Sequence, residues 1–176
     1  FSYPMFRDLS AGTGSTATLI ARASASVVVG VDGSGERAAV ELLSGNAFEA
    51  LGVTPALGRF FSPADDTVSA APVVVLSDAW WESRFSRAPS AVGQTVVVNA
   101  TPMTVVGVAR PGFTGLVANE SPAFFVPVTA MQAIRPTWRG LDDRRFRWLH
   151  VIARLAPGVS QAQAKAALDV RYRQVN

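Results

Sequence analysis

The sequence contains no cysteine, a single histidine (His150) and a single lysine (Lys165). Without cysteine, disulfides and thiolate metal sites are excluded, although the absence separates cytoplasm from periplasm only weakly. One histidine leaves little choice of general base, and His150 lies in a strand-like run with no matching Ser, Cys or carboxylate motif. Long apolar runs are missing too. Those at 72–76 and 95–98 are strand-sized, well short of the ~20 residues that span a bilayer. The opening FSYPMFRDLS has neither the basic n-region nor the apolar h-region of a signal peptide. The chain is therefore expected to be cytoplasmic or a piece of a larger protein. Charge is sparse: 16 basic and 13 acidic residues leave a net +3, with the arginines scattered. A nucleic-acid binder would concentrate them in a stripe, so no nucleic-acid partner is expected.

Familiar chemical motifs fail on context. Gly30, Gly33 and Gly35 mimic a phosphate loop, but no Lys-Ser/Thr follows and the run leads into a strand. Ser44 stands between a strand and a helix, where some hydrolases hold a nucleophile, yet the flanking Gly-x-Ser-x-Gly is absent. Asp65-Asp66 and Asp142-Asp143 lack the spacing of a calcium loop and are expected as solvated loop acids or helix-start residues. Nothing asks for a catalytic residue, metal or cofactor.

What is present is 49% hydrophobic residues in a chain of 176, enough for one domain or two small lobes sharing a core. Ser2 and Pro4 open a short helix over 2–9, followed by a loop at 11–15. Two alternating runs, 19–31 and 37–44, flank the Asp32-Gly33-Ser34-Gly35 turn signal and predict a hairpin. In the second run Ala38, Val40 and Leu42 share one face, and Arg37, Ala39 and Glu41 the other. Asn46 is expected to cap a short helix that Gly52 ends. Residues 53–61 read as turn-rich. Val73 to Leu76 predict a strand buried on both faces, and Ser77 caps a helix carrying Trp80, Trp81 and Phe85. One of two adjacent tryptophans must face away from the core centre. A second hairpin, 95–99 with 103–108, turns at Ala100-Thr101-Pro102. Strands at 124–128 and 149–155 follow, then a helix opened by the Ser160/Gln163 capping box. Strands and helices interleave without regular βαβ spacing, so the fold class is α+β with two lobes.

Several passages in order resemble one family. ELLSGNAFEALG (41–52), TPALGRFF (54–61), VVLSDAWWESRF (74–85), VGQT (92–95), VVGVARPGF (105–113) and WLHVIARLAPGVS (148–160) resemble the MacB-like periplasmic core domain of FtsX-type ABC transporter permeases. The details look most like the large bacterial permeases with duplicated halves, sometimes called orphan permeases. The resemblance implies a porter-like lobe from residues 1–71 and 129–176, with an inserted lobe at 72–128. It implies a non-catalytic domain on the periplasmic side of the bacterial inner membrane. Its partners would be permease transmembrane helices, a separate cytoplasmic ATPase domain and a periplasmic adaptor, and its cargo would be efflux substrates or lipoproteins. The chain starts late relative to the family's usual first strand. An open sheet edge, and a homodimer through it, are therefore expected.

The expected function is transmission of ATP-driven membrane motion to periplasmic partners or cargo. The mechanism needs a hinge, for which residues 66–71 and 119–122 are the candidates. Two alternatives stand beside it: a secreted or surface ligand- or peptide-binding module, and a hydrolase built on Ser44 or His150. The Arg/Trp-rich segment 135–148 supplies the candidate partner-facing patch, Arg135, Trp138, Arg139, Arg145 and Arg147, because Arg and Trp combine area with directional bonds at interfaces.

Overall fold

The computed structural model describes residues 1–31, 34–117 and 120–175. The expected turn residues Asp32 and Gly33 and the hinge candidate Asn119 lie outside them. Ser2 Oγ accepts the Met5 N–H at 3.3 Å, and Pro4 sits in the first turn, where its missing N–H has no helical partner to lose. The resulting α1 (Tyr3–Thr13) runs four residues past the expected end. Thr13 extends its buried side, and the Thr13 hydroxyl donates to Leu9 O at 3.0 Å.

β1 (Ala17–Val31) and β2 (Ser34–Leu43) form the expected antiparallel hairpin. β1 is long enough to serve two neighbours on its other edge. β8 (His150–Leu155) lies beside residues 17–22, and β5 (Thr95–Val98) beside Val29 and Gly30. From β2 the pairing continues to β7 (Phe124–Pro127), β4 (Val73–Leu76), β6 (Thr101–Ala109) and β5, then returns to β1. Six strands thus close on themselves, which removes their edges. β3 (Pro55–Gly58), in the passage expected to be turns, takes over from β5 along β6. The sheet crosses the expected lobe boundaries at β1–β5, β2–β7 and β3–β6.

Alternation along the strands sorts the core. Val27, Val29, Val40, Leu42, Val96, Val98, Met103 and Val105 belong to one large buried cluster, which α1 joins through Met5, Phe6 and Leu9. α3 (Asp78–Phe85) adds Trp80, whose ring meets Phe124 edge-on at 4.4 Å. Trp81 is the half-buried one of the pair, with its indole N–H donating to Ala88 O at 2.9 Å. The opposite sheet face gathers Ile20, Leu43, Val73, Val75 and Phe125 around Phe48 of α2 (Ala47–Leu51). Phe48 stacks on Phe60 at 3.8 Å and meets Phe61 edge-on at 5.0 Å. β4 and β7 are buried at every position because both faces are covered. α5 (Gln161–Val175) packs on α1, with Arg171 Nε donating to Asp8 O at 3.1 Å. Its capping box forms as expected: Ser160 N–H to Gln163 Oε1 at 2.9 Å and Gln163 N–H to Ser160 Oγ at 3.3 Å.

Candidate partner-facing surface

The Arg/Trp segment runs from the end of α4 (Ala130–Ile134), a helix not foreseen, to the start of β8. Apolar side chains fix its path. Trp138 meets Trp148 edge-on at 4.7 Å and Phe146 at 6.0 Å, while Leu141 and Leu149 are buried. The Trp148 and Leu149 N–H groups both donate to Phe1 O, at 3.0 and 2.9 Å. Arg144 pairs with Asp8 of α1. Trp138 is therefore half-buried in an aromatic cluster, whereas Arg135, Arg139, Arg145 and Arg147 are exposed. Arg139 bonds the carbonyls of Pro136 and Trp138. Among the described residues none of these four arginines forms an ion pair. The segment is a packed ridge that presents several unpaired cations.

The residues of the hydrolase alternative are occupied otherwise. Ser44 Oγ accepts the Ala21 N–H at 3.0 Å and donates to Asn46 Oδ1 at 2.7 Å. Asn46 Nδ2 donates to Leu19 O at 2.9 Å. Asn46 makes no side-chain cap on α2, contrary to expectation, because its amide fastens the turn to β1 instead. Gly45 leaves no room for a side chain: a Cβ would sit 2.7 Å from Ser62 O and from Pro63 Cα. His150 stands exposed on β8, across β1 from Ser44.

The first carboxylate pair is likewise structural. Asp65 accepts the Arg59 guanidinium at 2.8 and 2.9 Å and the Ser62 N–H at 2.8 Å. Asp66 points elsewhere, accepting from Gly45 N–H at 2.9 Å and from Thr129 N–H and hydroxyl at 3.0 and 2.9 Å. These two acids are bound to the fold in a turn, and are neither the solvated loop acids nor the helix-start residues expected. Asp143 accepts the Arg145 N–H at 2.8 Å, and Asp142 is exposed. Among the described residues no group of three or more metal-ligating side chains gathers.

One charged cluster escaped sequence reasoning. Arg22 Nε donates to Glu41 Oε1 at 2.9 Å, with the two residues 7% and 2% exposed. Glu120 reaches the same guanidinium at 3.3 Å. The Leu116 N–H lies 3.2 Å from Glu41 Oε2. Glu41 was expected to share a polar face with Arg37. Instead, the 113–116 loop covers that face of β2 at Glu41. The available signal was Arg22, the one charge in β1, and Glu41 of β2, two residues off direct register and so on the same face of the hairpin. Burial pushes the Glu41 carboxyl up, while the Leu116 N–H and Arg22 pull it down less strongly.

The sequence profile of the MacB-like periplasmic core domain matches residues 1–170, and the chain belongs to that family, the periplasmic domains of MacB- and FtsX-like ABC transporter permeases. No curated protein matches it. Three solved structures share its fold. The periplasmic region of MacB from Actinobacillus actinomycetemcomitans is 17% identical, with 99% of this chain covering 74% of that one at a TM-score of 0.75. The extracellular domain of the noncanonic ABC-type transporter YknZ from Gram-positive bacteria is 16% identical, with coverage of 95% and 78% and a TM-score of 0.68. A domain of a putative permease protein from Porphyromonas gingivalis is 14% identical, with coverage of 99% and 71% and a TM-score of 0.67.

Proposed function

We propose that this domain is the non-catalytic extracytoplasmic body of a transporter permease, passing ATP-driven motion of transmembrane helices to periplasmic partners or cargo in export, efflux or lipoprotein handling. The observation that carries this reading is the junction of the two chain ends. Phe1 bonds Leu149, α1 packs on α5, and Phe1 and Tyr172 line one cleft with Met5 and Arg147. Both ends meet in one layer, and β1 runs from that layer into the closed ring. A displacement applied at the ends reaches the ring through a continuous hydrogen-bonded strand, which is the stiff connection such coupling needs.

Arg135, Arg139, Arg145 and Arg147 offer an acidic periplasmic adaptor a positive ridge, held by the Trp138 cluster. Such rim charges set association rate and partner choice more than affinity. The test is the polypeptide flanking this chain. The reading requires an apolar span of about 20 residues on each side and recovery of the longer protein in the membrane fraction with an ATPase subunit or domain. A longer protein that fractionates as soluble would refute it. Replacing the four arginines by glutamate should slow capture of the adaptor and leave the midpoint of thermal unfolding within about 2 °C.

A further inference from the structure

Tyr3, Phe6, Arg7 and Ser10 share one face of α1. A cleft of about 300 Å³ separates that face from the turn at 44–46 and from Pro63 and Asp66 beside it. This is the small end of the range for ligand sites. The turn side is preformed, because Ser44, Asn46 and Asp66 are locked by bonds to β1, Gly45 and Thr129. Bonding capacity is left over there. Asn46 Nδ2 places one hydrogen on Leu19 O and keeps the other. Asp66 accepts three hydrogen bonds, and a carboxylate has about four acceptor sites. Among the described residues neither Arg7 nor Asp66 forms an ion pair. The cleft therefore carries one unpaired charge of each sign. Ser10 lines it too, and the Ser10 hydroxyl, shut off from solvent, has no partner among the described residues. The Tyr3 hydroxyl stands among these charges. Burial raises its pKa, Asp66 raises it further, Arg7 lowers it and Asp142 raises it.

These features select a class of ligand. A free anion drawn to Arg7 would meet Asp66 and Asp142, and a free cation drawn to Asp66 would meet Arg7. A hydroxyl escapes both conflicts, because it donates to a carboxylate and accepts from a guanidinium. Two neighbouring hydroxyls on one ring satisfy both charges at once. Tyr3, Phe6 and Pro63 supply apolar walls for the C–H face of such a ring. The orphaned Ser10 hydroxyl costs stability, and a ligand oxygen beside it would end that cost. We propose that this cleft is a sugar-binding site, taking one neutral pyranose ring with its vicinal hydroxyls between Arg7 and Asp66. The second Nδ2 hydrogen of Asn46 is available to a further ring oxygen. The Ser44-Gly45-Asn46 turn, which has no nucleophile to offer, then serves as the rigid wall of a binding site.

No step of this inference uses the transporter reading, and either can fail alone. Amide NMR on the 176-residue chain tests it. The probes are methyl β-D-glucopyranoside and methyl β-D-galactopyranoside, whose neighbouring hydroxyls differ in geometry, each titrated to about 100 mM. With at least one of them the Arg7, Gly45 and Asn46 amides should shift saturably, with a Kd of about 1–10 mM. Cyclohexanol, a ring of similar size with one hydroxyl, should bind at least about tenfold more weakly. Arg7→Met keeps an unbranched side chain at this exposed position and removes the guanidinium. It should weaken the sugar about tenfold and leave the midpoint of thermal unfolding within about 2 °C. Absence of saturable shifts with both sugars overturns the proposal. So does acetate or ethylammonium saturating the same amides more tightly than either sugar, because the cleft would then select a charge. Cyclohexanol binding as tightly as the sugars, or a folded Arg7→Met chain of unchanged affinity, also overturns it, because the cleft would not be reading a pair of hydroxyls.

Discussion

Asp65 accepts both arms of the Arg59 guanidinium and the Ser62 N–H, and these bonds hold its carboxyl near about 2, below its ordinary 3.8. The side-chain bonds from Arg59 dominate that shift. A carboxylate lowered in the fold stabilises it above the ordinary value, and the contribution is lost as pH falls through the lowered one. Acid unfolding should therefore steepen between about pH 4 and 2, and Asp65→Asn should flatten that part of the profile. Glu41 has the opposite sign. Burial raises its pKa, so its share of stability is present below the ordinary carboxylate range and is lost as pH rises through the raised value. Its pair with Arg22 is buried on both sides. Glu41→Ala should cost about 3–5 kcal/mol, because it leaves Arg22 with half-exposed Glu120 and the Ser24 hydroxyl, and the Leu116 N–H without an acceptor. The double variant Arg22→Met/Glu41→Leu should recover most of that loss in urea unfolding, since an apolar pair needs no partner charge. A double variant as weak as the single one would show the pair to be net stabilising.

At the scale of elements, the β5–β6 turn is set by Asn99 and Ala100, with φ of 46° and 68°. The sequence placed this turn at 100–102, one residue late. Asn tolerates left-handed backbone, and its side chain is fixed at both ends: Oδ1 accepts the Val28 N–H at 2.7 Å and Nδ2 donates to Ile134 O at 3.1 Å. Ala100 has no such compensation and carries a left-handed penalty of about 1 kcal/mol. Ala100→Gly should therefore raise the thermal midpoint by about 2 °C, and a lowered midpoint would contradict this. Much of the element pattern was legible where one period dominated. The β1–β2 hairpin, the continuously apolar β4, the Ser77 cap on α3 and the Ser160/Gln163 box all stand where local signals placed them. β3 and α4 were not legible. β3 is four residues held by pairing with β6, and α4 is five residues held by packing of Met131 and Ile134. Elements that short draw their stability from tertiary contact, not from propensity.

At the scale of the whole molecule, ring closure was invisible in the sequence, because it depends on two residues at the far end of β1 meeting Val97 and Val98. Non-local pairings of this kind leave no trace in periodicity. The arginine ridge was legible as composition, but the burial of Trp138 beside Trp148 depends on the segment folding back on itself. The tasks of Ser44, Asn46 and Asp66 were hidden for the same reason, since their partners lie 21 to 63 positions away. What emerges is a layer formed by both chain ends, tied through β1 to a closed ring, in a domain of the permease family. The most direct test of coupling is a distance that reports the layer against the ring. Spin labels on cysteines introduced at the exposed Val170 of α5 and Val97 of β5 suit this chain, which has no native cysteine. In the longer protein with its ATPase, the Val170–Val97 distance distribution should stay the same in the nucleotide-free and ATP-trapped states, because β1 ties the layer and the ring into one stiff body. A distribution that shifts or broadens between the states, under conditions where ATP is hydrolysed, would contradict stiff transmission from the layer to the ring.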